Sequence, residues 1–310
     1  MSRTAIVIGC GGTIGGAWIV AALHALTEQT GLDPRDADIL QGTSAGAEII
    51  TMLAGGARVQ DLVDMHRGVS TDGRLRAHVE ATPPNFPPVP KPALPKLQLL
   101  RSQRPLTRMS GLAPTGRADA TWLETVAKGF SDSTGRLAHP GARMVALDRD
   151  SGQRVVFGGP TAPPATADEA LRASWAIPGW MPPVVIANRT YIDGGAASTA
   201  SVDLIEADEA DIVYVLAPMA SKKHHRAPGF GGFVENRALR RPMTKVLDAE
   251  IALVRARGTQ VVPILPSSDD LAGLGSHFMK RSYRRAAFES AMTTAPETVR
   301  RSLATDRALS

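Results

Sequence analysis

Asp38-Ile-Leu-Gln41, then Gly42-Thr-Ser-Ala-Gly46, then Ala47 to Leu53 follow one another without a break: an apolar run, a small-residue turn and an aliphatic segment. That order predicts a short buried strand, a sharp turn and a helix. The turn matches Gly-x-Ser-x-Gly in the strand-to-helix context the pattern requires. Gly42 and Gly46 leave room for a tight bend, so Ser44 projects its hydroxyl, and the helix that starts after it favours negative charge there. An ordinary serine N-cap is the plainer alternative.

A second turn of the same kind lies upstream. Thr4-Ala-Ile-Val-Ile8 predicts a buried strand, Gly9-Cys-Gly-Gly-Thr-Ile-Gly-Gly16 a glycine turn, and Ala17 to Leu26 a helix packed close to a sheet. Backbone N–H groups are free at such a junction. Three functional readings compete with simple helix packing. A dinucleotide site needs Gly-x-Gly-x-x-Gly, which Ile14 breaks, although Asp33, Asp36 and Asp38 stand where a ribose would be met. A Walker-type loop needs a lysine that is missing here. An oxyanion hole would use the N–H groups of Gly11 and Gly12.

The rest of the chain keeps the rhythm. Strands are expected at Arg143 to Asp148, Arg154 to Phe157, Val184 to Ile186, Arg189 to Ile192, Asp211 to Ala217 and Gln260 to Leu265. Helices are expected at Thr121 to Phe130, Asp168 to Ala176 and Val234 to Arg257. Alternation of this sort argues for a three-layer α/β architecture, a largely parallel central sheet with helices on both faces. From about 82 to 118, nine prolines from Pro83 to Pro114 interrupt the pattern, and a loop-rich insertion is placed there.

Composition narrows the field. The 310 residues are 43% apolar and 21% charged, an ordinary globular balance. The lone Cys10 forms no internal disulfide, and scattered histidines give no zinc pattern; no metal or cofactor is expected. No apolar stretch reaches a membrane span, and the N-terminus lacks a signal-peptide core, so a cytoplasmic protein is expected. Net charge is +5 with 5% aromatics, which permits an anionic lipid surface and gives little support to nucleic-acid binding.

Ser44 needs a base. None of His66, His78, His139, His224, His225 and His277 has a context that marks it, and an elbow on the second strand is early for an α/β-hydrolase. Taken together, four separated motifs resemble the patatin-like phospholipase family of bacterial-type lipid acyl hydrolases. They are Cys10-Gly-Gly-Thr-Ile-Gly15, Gly42-Thr-Ser-Ala-Gly46, Ala173-Ser-Trp-Ala-Ile-Pro178 and Asp193-Gly194-Gly195, and they cover residues 5 to 195. The resemblance implies a patatin-like fold, taken as one α/β domain over 1–310 with the insertion as a cap or loop. It implies a Ser44–Asp193 dyad, Gly11 and Gly12 as oxyanion donors, and Gly15, Gly42, Gly46, Gly194 and Gly195 as supports of the turns. Taken alone, Asp193-Gly194 would read as a hairpin turn.

Two departures stand out: Cys10 replaces the family's first glycine, and Ile14 its arginine; the backbone donors at Gly11 and Gly12 survive either change, and Arg3 or another basic residue could substitute from elsewhere. The expected activity is hydrolysis of lipid carboxylic esters through an acyl-enzyme, in lipid degradation. The alternatives are acyl transfer to another alcohol, a non-catalytic lipid- or acyl-binding protein on the same scaffold, and a nucleotide-binding oxidoreductase for which only the glycine turn speaks. The insertion carries Lys91, Lys96, Arg101, Arg104, Arg108 and Arg117 among leucines, with no acidic residue, and is expected to cap the pocket and meet an anionic membrane peripherally.

Overall fold

The computed structural model describes residues 2–82, 88–222, 225–275 and 279–307. Pro83, Pro84 and Pro87 of the insertion, together with His224 and His277, lie outside the described residues.

Strand β1 (Thr4–Ile8) leads into helix α1 (Gly12–Thr30), and β2 (Ile39–Gly42) leads into α2 (Ala45–Ala54). Further strands are β3 (Ala142–Asp148), β4 (Arg154–Phe157), β5 (Val184–Ile186), β6 (Arg189–Asp193), β7 (Ile212–Leu216) and β8 (Gln260–Ile264). They form an eight-stranded sheet whose hydrogen-bonded neighbours run β5-β6-β3-β2-β1-β7-β8, with β4 also on β3. Strands β3, β2, β1, β7 and β8 are parallel, whereas β4 and β6 run antiparallel to β3 and β5 antiparallel to β6. The sheet is mixed and mostly parallel, with helices around it.

Side-chain alternation on β1 separates the two layers. Ile6 and Ile8 pack with Trp18, Leu23 and Leu26 of α1 on one face. Ala5 and Val7 face Leu247, Ile251 and Val254 of the helix Arg241–Ala256 on the other. Successive strand residues point to opposite faces, so an unbroken apolar run is what a strand covered on both sides needs. The helix Arg284–Arg307, not foreseen from the sequence, packs along α1. It buries Phe288, Ala291, Ala295 and Val299, a helical spacing hidden among its many charges.

The expected helix Val234 to Arg257 is two helices, Gly229–Glu235 and Arg241–Ala256, joined by a π-helical turn over Asn236–Arg240. The insertion also has local order: short helices at Leu97–Leu100 and Pro105–Ser110, and a Lys91–Thr115 bridge.

One feature of the sheet places the site. Met144 pairs with both β2 and β4, and Ala146 with both β4 and β6. A strand has two edges, so β2 and β6 share the edge of β3 opposite β4. Parallel β2 ends with Gly42 opposite Met144, and antiparallel β6 ends with Asp193 opposite Ala146. Their C-terminal ends therefore meet head to head, about 7 Å apart along the β3 edge.

Candidate active site

Gly42 and Gly46 shape the elbow by close approach. A Cβ on Gly42 would lie 2.5 Å from the Ala47 nitrogen, and one on Gly46 would lie 2.1 Å from the Ile8 carbonyl oxygen. Only glycine lets α2 start this close to β1. Ser44 pays the local conformational penalty, with φ of +56° and ψ of −120°, a backbone region that non-glycine residues enter rarely. Its side chain makes no capping hydrogen bond, so the N-cap alternative does not describe it. Its backbone N–H donates to Ser174 Oγ at 2.9 Å, and Ser174 Oγ–H donates to the Val145 carbonyl at 2.7 Å. Ser174 thus ties the elbow to the middle of β3. The sequence signal was present in Ala173-Ser-Trp-Ala-Ile-Pro178, but the role of this serine was not legible there.

Asp193 arrives from the opposite direction. Its backbone N–H donates to the Ala176 carbonyl at 2.9 Å, and its Oδ1 accepts the Gly195 N–H at 2.7 Å. A 3₁₀ turn over Gly194–Ala196 follows, not a hairpin. Gly194 is needed because a Cβ there would lie 2.6 Å from the Val145 carbonyl oxygen and 3.1 Å from Thr43 Cγ2. That contact brings the two strand ends together. The carboxyl is 4% exposed. Burial raises its pKa to about 7, against the opposing pull of hydrogen bonds from the Ser44 side chain and the Gly195 N–H.

Gly11 is the N-cap of α1 and Gly12 its first residue, with φ of +58° at Gly12. Their N–H groups have no acceptor within the helix, and no side chain caps this terminus. Gly11 and Gly15 both back onto Pro218, whose Cγ would lie 2.7 Å and 3.1 Å from their Cβ positions. Cys10, Gly11, Gly12, Ser44, Asp193 and Gly195 all line one cavity of about 310 Å³. Its other walls are mostly apolar, among them Leu106, Met109, Ile177, Met219, Leu239 and Met243. Burial, reinforced by the Asp193 charge, pushes the Cys10 thiol up to about 12, so it stays protonated at neutral pH.

One expectation is corrected by the geometry. Arg3 does not support the glycine turn: it sits exposed before β1, paired with Asp211 at 3.0 Å, at the other end of the strand. The buried cation beside the turn is Arg240, 3% exposed, which donates to the Pro218 carbonyl at 2.5 Å and pairs with Glu235 at 3.0 Å. Residues five apart share a face in a π-helical turn, so the distortion sets up this pair. Ile14, where an arginine was absent, is 2% exposed and packs in the core.

The dinucleotide alternative also loses its acidic partner. Asp38 accepts the Thr4 N–H at 2.7 Å and Asp33 pairs with Arg35 at 2.5 Å, both at the ends of β1 and β2 remote from Gly9–Gly16. Among the described residues no histidine lines the cavity. His78 bonds Glu48 at 2.9 Å, His66 stacks on Phe288, and His139 bonds the Ala37 carbonyl at 2.8 Å.

The insertion contributes Leu106, Met109, Ser110 and Ala113 to the cavity wall. It is fastened there by Thr107 Oγ1, which donates to the Ala196 carbonyl at 2.8 Å just beyond Asp193. Arg104 is turned inward to Glu250, 3.9 Å away, and Leu99 is fully buried, so not every cation and leucine of the segment faces outward as expected.

Comparison with known proteins adds one decisive finding. A family model described as patatin-like phospholipase matches residues 6–207. No curated protein sequence matches the chain. Among solved structures, VipD from Legionella pneumophila is similar at 12% identity and a TM-score of 0.41, over 96% of this chain and 67% of VipD. The type III effector protein ExoU is similar at 14% identity and a TM-score of 0.35, over 97% of this chain and 53% of ExoU. The chain thus spans about half the length of ExoU.

Proposed function

The chain belongs to the patatin-like phospholipase family, whose membership supports lipid hydrolase activity, and from that premise we propose a serine lipid acyl hydrolase of phospholipase A or esterase type. Asp193 removes the proton from Ser44 Oγ as that oxygen attacks the ester carbonyl carbon. The carbonyl oxygen becomes an alkoxide directed to the N–H groups of Gly11 and Gly12 at the start of α1. Collapse breaks the bond to the leaving alcohol, which takes the proton from Asp193 and leaves an acyl group on Ser44. Water then attacks the acyl-enzyme, giving its proton to Asp193, and the second collapse returns the proton to Ser44 and frees the fatty acid.

The observation that carries this reading is the meeting of a strained serine and a buried carboxyl of raised pKa in one apolar cavity beside an uncapped helix N-terminus. A carboxylate with a pKa near neutrality is a far better base than one in water. The apolar walls suit an acyl chain. Residues 1–310 are taken as one α/β unit in which the segment at about 82–118 caps this cavity. No helix among the described residues is long and apolar enough to cross a membrane, and we assign the protein to the cytoplasm with peripheral membrane contact.

Ile14 in place of the family's arginine favours a second reading, a non-catalytic acyl-binding protein on the same scaffold; transfer of the acyl group to another alcohol is a variant of the first. Labelling by a fluorophosphonate, together with turnover of a short-chain nitrophenyl ester, separates them. The hydrolase reading expects both in the wild type and neither in Ser44→Ala. A wild type that is neither labelled nor active leaves the binding protein.

A further inference from the structure

Two segments that wall the cavity form its lips and carry exposed apolar side chains. On one, Met109 and Leu112 of the insertion are 63% and 64% exposed, and the neighbouring Leu106 and Ala113 line the cavity. On the other, Phe230 is 82% exposed, with Phe233 and Val234 beside it, and the same run continues through the π-helical turn to Leu239 and Met243 in the cavity wall. Large apolar side chains this exposed, on two segments that run into the wall of one cavity, mark a contact surface.

The charge on the lips has one sign. Arg101 and Arg108 are exposed on the first, and Arg226, Arg237 and Arg241 on the second. Arg226 lies over the Phe233 ring at 5.7 Å. Among the described residues of 88–118 there is no acid, and in 225–245 the one acid, Glu235, is buried against Arg240. An acidic protein would answer the charge but not the exposed apolar side chains on segments that wall an acyl-sized cavity. An anionic bilayer answers both, because arginines meet its headgroups while phenylalanine and leucine enter the boundary with the acyl chains.

We propose that the two lips dock this protein on an anionic lipid bilayer, the Gly229–Glu235 helix forming half of the docking face. The proposal rests on the reading of the cavity as an acyl site, since it aims that opening at the membrane.

The test uses the full chain carrying Ser44→Ala, so that vesicles stay intact, and measures co-sedimentation with phosphatidylcholine vesicles and with mixed phosphatidylcholine–phosphatidylglycerol vesicles. The expected result is binding to the mixed vesicles, weakened about tenfold by Phe230→Ser with Phe233→Ser and about tenfold by Arg226→Gln with Arg237→Gln. The arginine effect should vanish in high salt, and Val69→Ser, an exposed apolar position outside the cavity, should change nothing. In the otherwise wild-type chain these pairs should leave hydrolysis of a soluble nitrophenyl ester unchanged. Absence of binding to mixed vesicles, binding indifferent to both pairs, or an equal loss with Val69→Ser overturns the docking face. Because binding is read in the Ser44→Ala chain, vesicle binding without ester turnover in the wild type would overturn the hydrolase reading instead.

Discussion

Replacing Asp193 with asparagine is expected to abolish turnover and, above neutral pH, to make the protein more stable. Burial raises this carboxyl from its ordinary 3.8 to about 7. In the unfolded chain it loses its proton near pH 4, whereas the folded chain holds that proton until about pH 7. Between those values the native state binds more protons than the unfolded state, so this group's contribution to stability falls as pH rises and is fully lost above about pH 7. Each pH unit of the difference corresponds to about 1.4 kcal/mol, about 4 kcal/mol in all. Asparagine fills the same space, still accepts the Gly195 N–H, and has no charge to desolvate. Urea denaturation of wild type and Asp193→Asn at pH 5 and pH 8 should therefore show the variant gaining about 3 kcal/mol on the wild type between the two. Ser44→Ala, which keeps the carboxyl, should show no comparable widening. Wild-type kcat/KM should climb with pH through a midpoint near 7 and level off above it, as the base ionises. A constant gap between the two pH values, or an asparagine variant less stable than wild type at pH 8, would refute the account of a destabilised buried base.

The remaining expectations follow from single contacts. Ser44→Ala and Asp193→Asn act on one proton, so each should remove most activity and the double variant should be little worse; additive losses would make Asp193 purely structural. Gly46→Ala puts a Cβ 2.1 Å from the Ile8 carbonyl oxygen and should lower stability by about 3 kcal/mol or more, or prevent folding; normal denaturation would disprove the tight α2–β1 approach. Arg240→Met, made together with Glu235→Gln to avoid a buried unpaired charge, should loosen Pro218 behind the glycine turn and lower kcat about tenfold with little change in KM. An unchanged kcat would remove Arg240 from the support of that turn.

All eight strands were legible in the sequence to within a residue or two of their ends, because an apolar run bounded by glycine or polar residues is a local pattern. The two turns were legible for the same reason: at Gly42 and Gly46 the physical requirement is the absence of a Cβ, which the sequence states directly. Helices covered by charge were less so. In Arg284–Arg307 the buried Phe288, Ala291, Ala295 and Val299 keep helical spacing, but arginines and Pro296 mask it. The π-helical turn at Asn236–Arg240 was invisible, since one extra residue in a helix changes no propensity and is read only from which side chains face each other.

By itself, then, the sequence determined the strand–turn–helix units, the tight turn that projects Ser44 and the free N–H groups of the glycine turn, all consequences of neighbouring residues. Tertiary structure decided which of the 30 acidic residues faces Ser44, because that depends on β6 running antiparallel along the same edge of β3, on the stretch beyond the end of β2. It also raised that carboxyl's pKa to about 7, since the penalty on its charge comes from the whole surrounding core. Arg240, and not Arg3, stands behind the glycine turn for a related reason: a long side chain is placed by the packing of distant elements, and nothing in its own neighbourhood along the chain records where its charge will lie.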